Sequence, residues 1–499
     1  MSHGAAIRPA GFTHARRSII LLSMAEAQIP SLLAHSPEKA PPQRWWSTFL
    51  PAILAIMGIL LAHACAREGS RMHRRLEEAT LRQRSAYWHV KLNQARMQGN
   101  GHTALIRRQL KTAEHAKLPS FSRPGREFTQ WDGQRYAQIV KHGYTFPTTY
   151  DPKTNRLHLE TVSWFPLYPM LALAVHDFTH WSVHKSLTLV SDLCVLMAAV
   201  IMFAFARRHF YNRMPWEEVD ASSWHIARRW DLFSNDTAAL WSVVFLLFGP
   251  ASIFLYVNYA ESLFVLLIAL FLMAIQSRYW LRAAGVAAVA SACSPQGALL
   301  APVLALTYLL RTDLPAAPRL LRCALWGALS LVGLGAYMTF LALRFGHPLA
   351  FLHAQAAWHS GINIYTLSYG LNPVHPLSNF FYYAMLRPVD FPRLWEATCV
   401  VVPPLALLLL GARFLSFEAE MLGWLFWGVP YFANCLAGSS PSNGHWMSMG
   451  RYMQVVIPLQ LIAGSVIIRF RWLGPLLLAF SAVAFALLAL RYGAGAWVG

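Results

Sequence analysis

The sequence is poor in charged residues and in cysteine, and each shortage excludes a class of protein. Only 13% of the 499 residues are Asp, Glu, Lys or Arg, against roughly 25% in a soluble domain. The cysteines form no CxxC pair, which excludes a cysteine-based zinc site and a dense disulfide framework. The first 45 residues show no convincing cleavable signal. The scattered cysteines are Cys65, Cys194, Cys293, Cys323, Cys399 and Cys435.

The remaining composition is typical of a protein embedded in lipid. Hydrophobic residues make up 56% of the chain, and its 19 Trp, 18 Tyr and 29 Phe fit interfacial aromatic anchors. We therefore expect an all-α polytopic membrane protein. Because a spanning helix needs about 20 mostly apolar residues, the candidate spans are 46–65, 186–206, 237–256, 261–277, 323–343, 396–414, 420–437, 452–468 and 473–490.

A further apolar stretch, 283–310, is interrupted by Ser294-Pro295-Gln296-Gly297. Arg282 precedes this stretch and Arg311 follows it, so both of its ends favour the same side of the membrane. We expect two short helices that enter, turn at the break and return, since a broken helix is tolerated where protein or a cavity surrounds it. With this hairpin the chain has about 11 predicted membrane segments.

The Lys and Arg residues next to the later spans indicate which loops face the cytoplasm. They fall on one face if 283–310 is a hairpin, and that face is cytoplasmic by the positive-inside rule. Loops 66–185, 257–260, 344–395 and 438–451 then lie outside. The basic, partly helical arm 66–130 fits this side poorly, because its local charge favours the cytoplasm. Its role and sidedness stay open, with a solvated or headgroup-bound arm preferred to a nucleic-acid site.

One acid stands at the head of a short amphipathic segment in the first outer loop. Asp132 follows Trp131 and precedes a helical pattern that predicts a helix lying along the membrane surface. This places Asp132 at the lipid–water boundary, either as a reactive carboxylate or as an N-cap before Gly133. The apolar face consists of Tyr136, Ile139, Val140 and Tyr144, and the polar face of Gln134, Arg135, Gln138, Lys141 and His142.

The same outer loop contains two more candidate polar residues and an aromatic segment. His158 and Glu160 follow Asp132 in this loop, as part of a site or as solvated residues. They precede Phe165-Pro166-Leu167-Tyr168-Pro169, whose two prolines predict an aromatic loop at the membrane surface rather than a helix.

Two charged residues open spans from the outer side. Glu261 begins the span 261–277, where the helix dipole favours an acid, so it is either a cap or a site residue. Arg451 lies at the outer mouth of the span 452–468. Its fork of donors suits a phosphate, although an arginine there can also extend to lipid headgroups.

Taken together, the motifs resemble the signature of the GPI mannosyltransferase 2 (PIG-V type) family and its bacterial relatives. The resemblance covers about residues 130–490. Ser294 and Trp164 depart from it, since the family often has Arg and Phe at these places, and the long arm 66–130 departs from it as well. The matching motifs are Trp131-Asp132-Gly133, Gly143-Tyr144, Phe165-Pro166-Leu167-Tyr168-Pro169, Tyr259-Ala260-Glu261-Ser262-Leu263-Phe264, Pro295-Gln296-Gly297, Gly346-His347-Pro348-Leu349-Ala350-Phe351 and Gly450-Arg451-Tyr452.

The resemblance implies a GT-C fold glycosyltransferase that acts on the extracytoplasmic or lumenal face with inversion. Its donor would be a polyprenyl-phosphate sugar, usually mannose, and its acceptor a lipid or glycan. Asp132 would be the general base and Arg451 a phosphate contact. We expect no cofactor, no required metal, because no DxD-type motif stands out, and no nucleic-acid partner. The residues expected to bind substrate are Trp131, Arg135, His158, Glu160, Tyr168, Glu261, Gln296 and Arg451.

This interpretation divides the chain into functional regions and predicts a bacterial inner membrane, or the endoplasmic reticulum if the source is eukaryotic. The regions are a cytoplasmic segment 1–45, the span 46–65, the arm 66–130, a catalytic outer loop 131–185, a multi-span domain 186–490 with acceptor-side loop 344–395, and a tail 491–499.

Other functions are compatible with the sequence. One is transfer of another lipid-linked sugar. A second is a transporter or flippase, which predicts ionisable residues buried inside spans; Asp192 is the main candidate. A third is a membrane scaffold that uses the arm 66–130. The sequence leaves the acceptor and the oligomeric state open.

Overall fold

The computed structural model describes residues 45–97, 103–114, 126–145, 150–151, 156–157, 161–213, 235–355, 402–436, 448–470 and 472–496. These residues form helices, apart from a two-residue antiparallel hairpin of β1 (Tyr150–Asp151) and β2 (Arg156–Leu157). Short 3₁₀ turns occupy Thr161–Ser163, Pro250–Ser252 and Pro295–Leu299. The predicted all-helical class is therefore confirmed.

The helices are numbered in chain order. They are α1 (Trp45–Met97), α2 (Thr103–Glu114), α3 (Asp132–His142), α4 (Leu167–Thr179), α5 (Val183–Arg213), α6 (Asn235–Phe248), α7 (Ile253–Tyr256), α8 (Glu261–Gln276), α9 (Trp280–Ser291), α10 (Leu300–Arg311), α11 (Ala316–Ser330), α12 (Val332–Phe345), α13 (Ala350–Gln355), α14 (Val402–Phe414), α15 (Phe417–Leu436), α16 (Met449–Gln454), α17 (Ile457–Arg469) and α18 (Leu473–Gly493).

Among the described residues, fewer helices than expected are long and apolar enough to cross a membrane. By length and composition, α1, α5 and α18 qualify. The count rises to five if two bent pairs, Asn235–Phe248 with Pro250–Tyr256 and α11 with α12, each form one span, with bends of 61° and 50°. Other predicted segments coincide with the shorter apolar helices α8, α9, α14 and α17, and 420–437 coincides with α15, which has 20 residues but does not qualify. The structure thus has the helices of a membrane protein, while the expected 11 segments are not reached by this criterion.

The first span and the basic arm share one helix. The helix α1 continues for 53 residues through the predicted span and into the arm as far as Met97, without a break near residue 65. Its middle lies against α18, where a Cβ on Gly69 would come within 2.0 Å of the Leu490 carbonyl oxygen, and one on Gly493 within 1.9 Å of the Ala66 carbonyl oxygen. Small residues let the two backbones approach this closely. This crossing brings the last helix beside residues 128–130, which precede α3.

The segment 283–310 has the predicted break. The helices α9 and α10 are separated by the turn Pro295–Leu299, and Gly297 lies so close to the end of α9 that a Cβ there would meet the Ala290 carbonyl oxygen at 2.2 Å. The break between two short helices is confirmed, and their return to the same side of the membrane stays a prediction.

The predicted aromatic loop ends at Pro166, and the prediction was wrong from Leu167 onward. The helix α4 begins at Leu167, with Pro166 at its N-cap and Pro169 in its first turn. Proline is tolerated there because the first amides of a helix have no intrahelical acceptor. Phe165 and Tyr168 are almost completely buried, so they pack inside the protein rather than on a membrane surface.

The amphipathic pattern after Trp131 does form a helix, α3, with its apolar residues buried and Gln134, Lys141 and His142 exposed. The apolar face, however, packs against protein. The rings of Tyr136 and Tyr168 meet edge to face, with centroids 4.9 Å apart. The prediction that lipid would cover this face was therefore wrong, because the face packs on α4.

Candidate active site

The segment before Asp132 is held from two distant parts of the chain. The Tyr492 hydroxyl accepts a hydrogen bond from the backbone amide of Gln130, at 3.1 Å. The Asn258 amide nitrogen donates to the Phe128 carbonyl oxygen at 3.0 Å, and its side chain donates to Thr129 Oγ1 at 2.6 Å. Residues 128–130 are therefore fixed between α18 and the turn that precedes α8.

Two residues with left-handed backbone torsions directly precede the helices of this region. Trp131 has a φ of 46° and Ser448 a φ of 66°; they stand before α3 and α16. Non-glycine residues with positive φ are strained by about 1–3 kcal/mol each and are frequent at functional sites. Each turn starts a helix whose first residues contribute a charged side chain to the same cluster.

That cluster consists of Asp132, Glu261 and Arg451, which come from α3, α8 and α16. The guanidinium of Arg451 donates from Nε to Glu261 Oε1 and from Nη1 to Asp132 Oδ2. All three side chains are largely buried, with 20% of the Asp132 side chain exposed, 9% of Glu261 and 13% of Arg451. Three motifs that are far apart in the sequence thus meet at one point.

Aromatic rings enclose this cluster. The Arg451 guanidinium carbon lies 4.8 Å from the centre of the Tyr259 ring, within the range of a cation–π contact. The Tyr136 ring is buried, and burial, followed by the charge of Glu261, raises the pKa of its phenol well above the usual value. Tyr136 consequently stays protonated and neutral beside the two carboxylates.

The cluster holds two carboxylates for one guanidinium. Burial acts to lower the pKa of Arg451, but the charges of Glu261 and Asp132 outweigh it and raise this pKa above its ordinary value. Counted by formal charge, two carboxylates and one guanidinium leave one negative charge in excess. Arg451 contacts Oδ2 of Asp132 and not Oδ1, and among the described residues Glu261 Oε2 is buried without a hydrogen-bond partner. Each of these oxygens can accept a proton or a hydrogen bond.

The structure decides between the alternative interpretations of these three residues. The N-cap of α3 is Trp131, and no side chain makes a capping hydrogen bond at that end, so Asp132 is not an N-cap. Glu261 follows the N-cap Ala260 in the first turn of α8, where the helix dipole favours an acid, and it also forms the ion pair with Arg451, so both interpretations hold for it. Arg451 turns inward to the carboxylates rather than outward to headgroups. Its phosphate contact stays a prediction. The two ion pairs use Nε and Nη1 of Arg451, and Nη2 takes part in neither.

The other predicted substrate-binding residues lie at different distances from this cluster. Trp131, next to Asp132, is 46% exposed. Arg135 donates to Gln138 Oε1 at 3.3 Å, and its guanidinium carbon lies 5.8 Å from the centre of the Trp164 ring. Gln296 is half-buried in the turn between α9 and α10. His158 and Glu160 lie outside the described residues.

Tyr168 was expected to bind substrate and is instead part of the core. Its hydroxyl donates to the Leu187 carbonyl oxygen at 3.0 Å and lies 2.8 Å from Ser191 Oγ, and its side chain is fully buried. Its ring supports Tyr136, so it positions α3 rather than facing a substrate.

The sequence interpretation did not single out Asn258, Tyr259 or Tyr492 as site residues. Tyr259 adjoins the Glu261 motif, and this proximity could have drawn attention to it. No such signal marks Tyr492, which lies in the apolar helix α18. Among the described residues, no group of three or more His, Cys, Asp or Glu side chains is arranged to hold a metal ion.

Comparison with known proteins gives no relative from which a role could be transferred: no protein-family model matches the chain, and no curated protein matches it significantly. The part of the chain that the structure describes is helical, with three to five segments long enough to span a membrane and a buried carboxylate–arginine–carboxylate cluster. The arrangement provides a shielded acceptor for a proton, next to a fixed positive charge.

Proposed function

We propose that the protein is an inverting glycosyltransferase of the GT-C type. It would move a mannosyl residue from a polyprenyl-phosphate donor to a lipid-linked or other membrane-proximal acceptor, on the extracytoplasmic face. The observation that carries the proposal is the contact of Arg451 with both Asp132 and Glu261. These residues belong to three motifs of the family that the sequence resembles, and the motifs come together in one buried cluster.

In this proposal Asp132 is the general base. Inverting transfer requires a base to remove the proton from the acceptor hydroxyl while its oxygen forms a bond to C1 of the sugar. The bond from C1 to the phosphate oxygen breaks, and its electron pair leaves with the lipid phosphate. Asp132 is the most exposed of the three charged residues and has an oxygen that Arg451 does not engage. A positioned base contributes about 10² to 10⁴-fold in rate.

Arg451 and Glu261 hold the base in this scheme. Arg451 orients Asp132 through Nη1, and Glu261 fixes the guanidinium from the other side through Nε. The positive charge of Arg451 near the reacting centre would also stabilise the leaving phosphate.

The test is transfer by the purified full-length protein with labelled polyprenyl-phosphate-mannose and total membrane lipids. We expect a labelled lipid product, and a loss of at least about 100-fold in rate with Asp132→Asn. The matched control is Asp177→Asn, the same substitution at an exposed position of α4, which should transfer at the wild-type rate. Full activity of a folded Asp132→Asn variant would reject the base assignment. A panel of other polyprenyl-phosphate sugars separates mannose from a different donor.

A second candidate, movement of a lipid-linked solute across the membrane, is favoured by one pair. His63 of α1 and Asp192 of α5 are largely buried, with Nε2 and Oδ1 3.3 Å apart. Ionisable residues inside spans are typical of transport pathways. Uptake by proteoliposomes without any glycosyl product, lost in Asp192→Asn, would favour this function over transfer.

A further inference from the structure

An open groove of about 350 Å³ runs along the polar side of α3. Arg126, Gln134, Gln138, Lys141, His142 and His184 contribute to its lining. Lys141 follows Asp132 by nine residues, which is two and a half turns of helix. It therefore lies on the opposite side of α3, about 13 Å farther along the axis. The groove is separate from the Asp132 cluster.

The groove is positively charged. Arg126 and Lys141 are permanent cations, His142 and His184 add two imidazoles, and no carboxylate is among the lining residues. The neighbouring acid, Glu127, is buried, with Oε1 3.6 Å from Nε of Arg67. Within the described part of the chain, neither Arg126 nor Lys141 has an ion-pair partner. An anion in the groove would supply the missing countercharge.

His184 adds a directional donor to this charge. Thr129 Oγ1 accepts a hydrogen bond from the Asn258 side chain, so its own proton is free to go to His184 Nδ1, at 3.0 Å. That tautomer leaves the proton of the neutral imidazole on Nε2. This atom is buried and has no hydrogen-bond partner among the described residues. Buried donors are normally satisfied, and an anionic oxygen would satisfy this one.

Two exposed aromatic residues close to His184 in the chain favour a lipid as the source of the anion. Phe178, 88% exposed at the end of α4, and Trp181, 48% exposed, stand just before His184 in the chain. Exposed aromatic residues beside basic ones are typical of a surface at the level of lipid headgroups. A soluble anion would gain nothing from these aromatic side chains.

We propose that this groove binds the phosphate headgroup of an anionic membrane lipid. Arg126 and Lys141 would contact the phosphate oxygens, His184 would donate from Nε2, and the acyl chains would lie toward Phe178 and Trp181. Because α3 separates the groove from Asp132, this phosphate is not the leaving group of the proposed transfer. The site therefore does not depend on the proposed function.

The experiment measures bound lipid on the purified full-length protein by native mass spectrometry, with phosphatidylglycerol as the probe. We expect the double variant Arg126→Gln/Lys141→Gln to bind phosphatidylglycerol at least about tenfold more weakly, since hydrogen bonds to charged groups are the strong ones. The matched control is Arg107→Gln/Arg108→Gln, which removes the same charge from exposed positions of α2 and should bind as the wild type does.

Two further ligands show whether the groove recognises the phosphate, the acyl chains or both. Diacylglycerol, which lacks the phosphate, should bind weakly and equally to all variants, and inorganic phosphate should displace the lipid only at much higher concentration. Equal loss of phosphatidylglycerol in both double variants, or no loss in either, would overturn the proposal. Binding of inorganic phosphate as tight as that of the lipid would overturn the lipid assignment. If the purified protein shows no glycosyl transfer, the expected lipid binding stays the same, because the groove does not depend on the proposed function.

Discussion

Arginines neutralise buried carboxylates in two different ways in this protein. Among the described residues, Arg311 pairs with Glu418 at 2.7 Å, one guanidinium to one carboxylate. Arg451 serves both Asp132 and Glu261. The one-to-one pair joins α10 to α15 with balanced formal charge. The Arg451 cluster holds two carboxylates for one guanidinium, so one carboxylate can act as a base while the other keeps the cation paired.

The largest loss in the free energy of unfolding should come from removing Arg451, the cation that two carboxylates share. Arg451→Met leaves two buried carboxylates without a countercharge, whereas Arg311→Met leaves one, Glu418. Breaking a buried pair costs about 3–5 kcal/mol, so we expect the free energy of unfolding to fall by more than this in Arg451→Met and by about this amount in Arg311→Met. Denaturant unfolding in detergent, followed by tryptophan fluorescence, measures both. Equal losses would remove the distinction between the two kinds of site.

Replacing a carboxylate should lower the free energy of unfolding by less, and by different amounts at Glu418 and at Glu261. Glu418→Gln leaves Arg311 buried without its partner, and the free energy of unfolding should fall by about 3 kcal/mol. Glu261→Gln leaves Arg451 still paired with Asp132, so the loss should be about 1 kcal/mol. The same unfolding measurement applies, with each glutamine serving as the control for the other. A larger loss for Glu261→Gln would mean that the second carboxylate is required for stability rather than being in excess.

The sequence predicted the members of the cluster better than their contacts. Asp132, Glu261 and Arg451 were each recognisable from local pattern and from the expected side of the membrane. That Arg451 bridges the other two could not be predicted, because it depends on how α3, α8 and α16 pack, and no spacing rule relates residues so far apart in the chain. The cap and headgroup alternatives stayed open for the same reason.

Local rules misled where tertiary packing prevailed. The two prolines near Tyr168 indicated a loop, yet their positions at the start of α4 are ones that a helix accepts. Tyr168 belongs to a matching motif and has a polar hydroxyl, which together suggested a substrate contact. Its side chain is instead buried in the core, where the hydroxyl donates to the Leu187 carbonyl oxygen. Tyr492 had no distinguishing pattern, although it holds the loop before Asp132. The span count depended on apolar runs, which do not reveal the bends at Gly249-Pro250 and Leu331.

The most direct test of the central claim is a double-mutant cycle between Asp132 and Arg451. The free energy of unfolding is measured for the wild type, Asp132→Asn, Arg451→Met and the variant with both changes. If the two residues form one buried cluster, the double variant should lose less stability than the sum of the single losses, by about 1 kcal/mol or more. Losses that add to within about 0.5 kcal/mol would show that Asp132 and Arg451 do not interact, and would contradict the site described here.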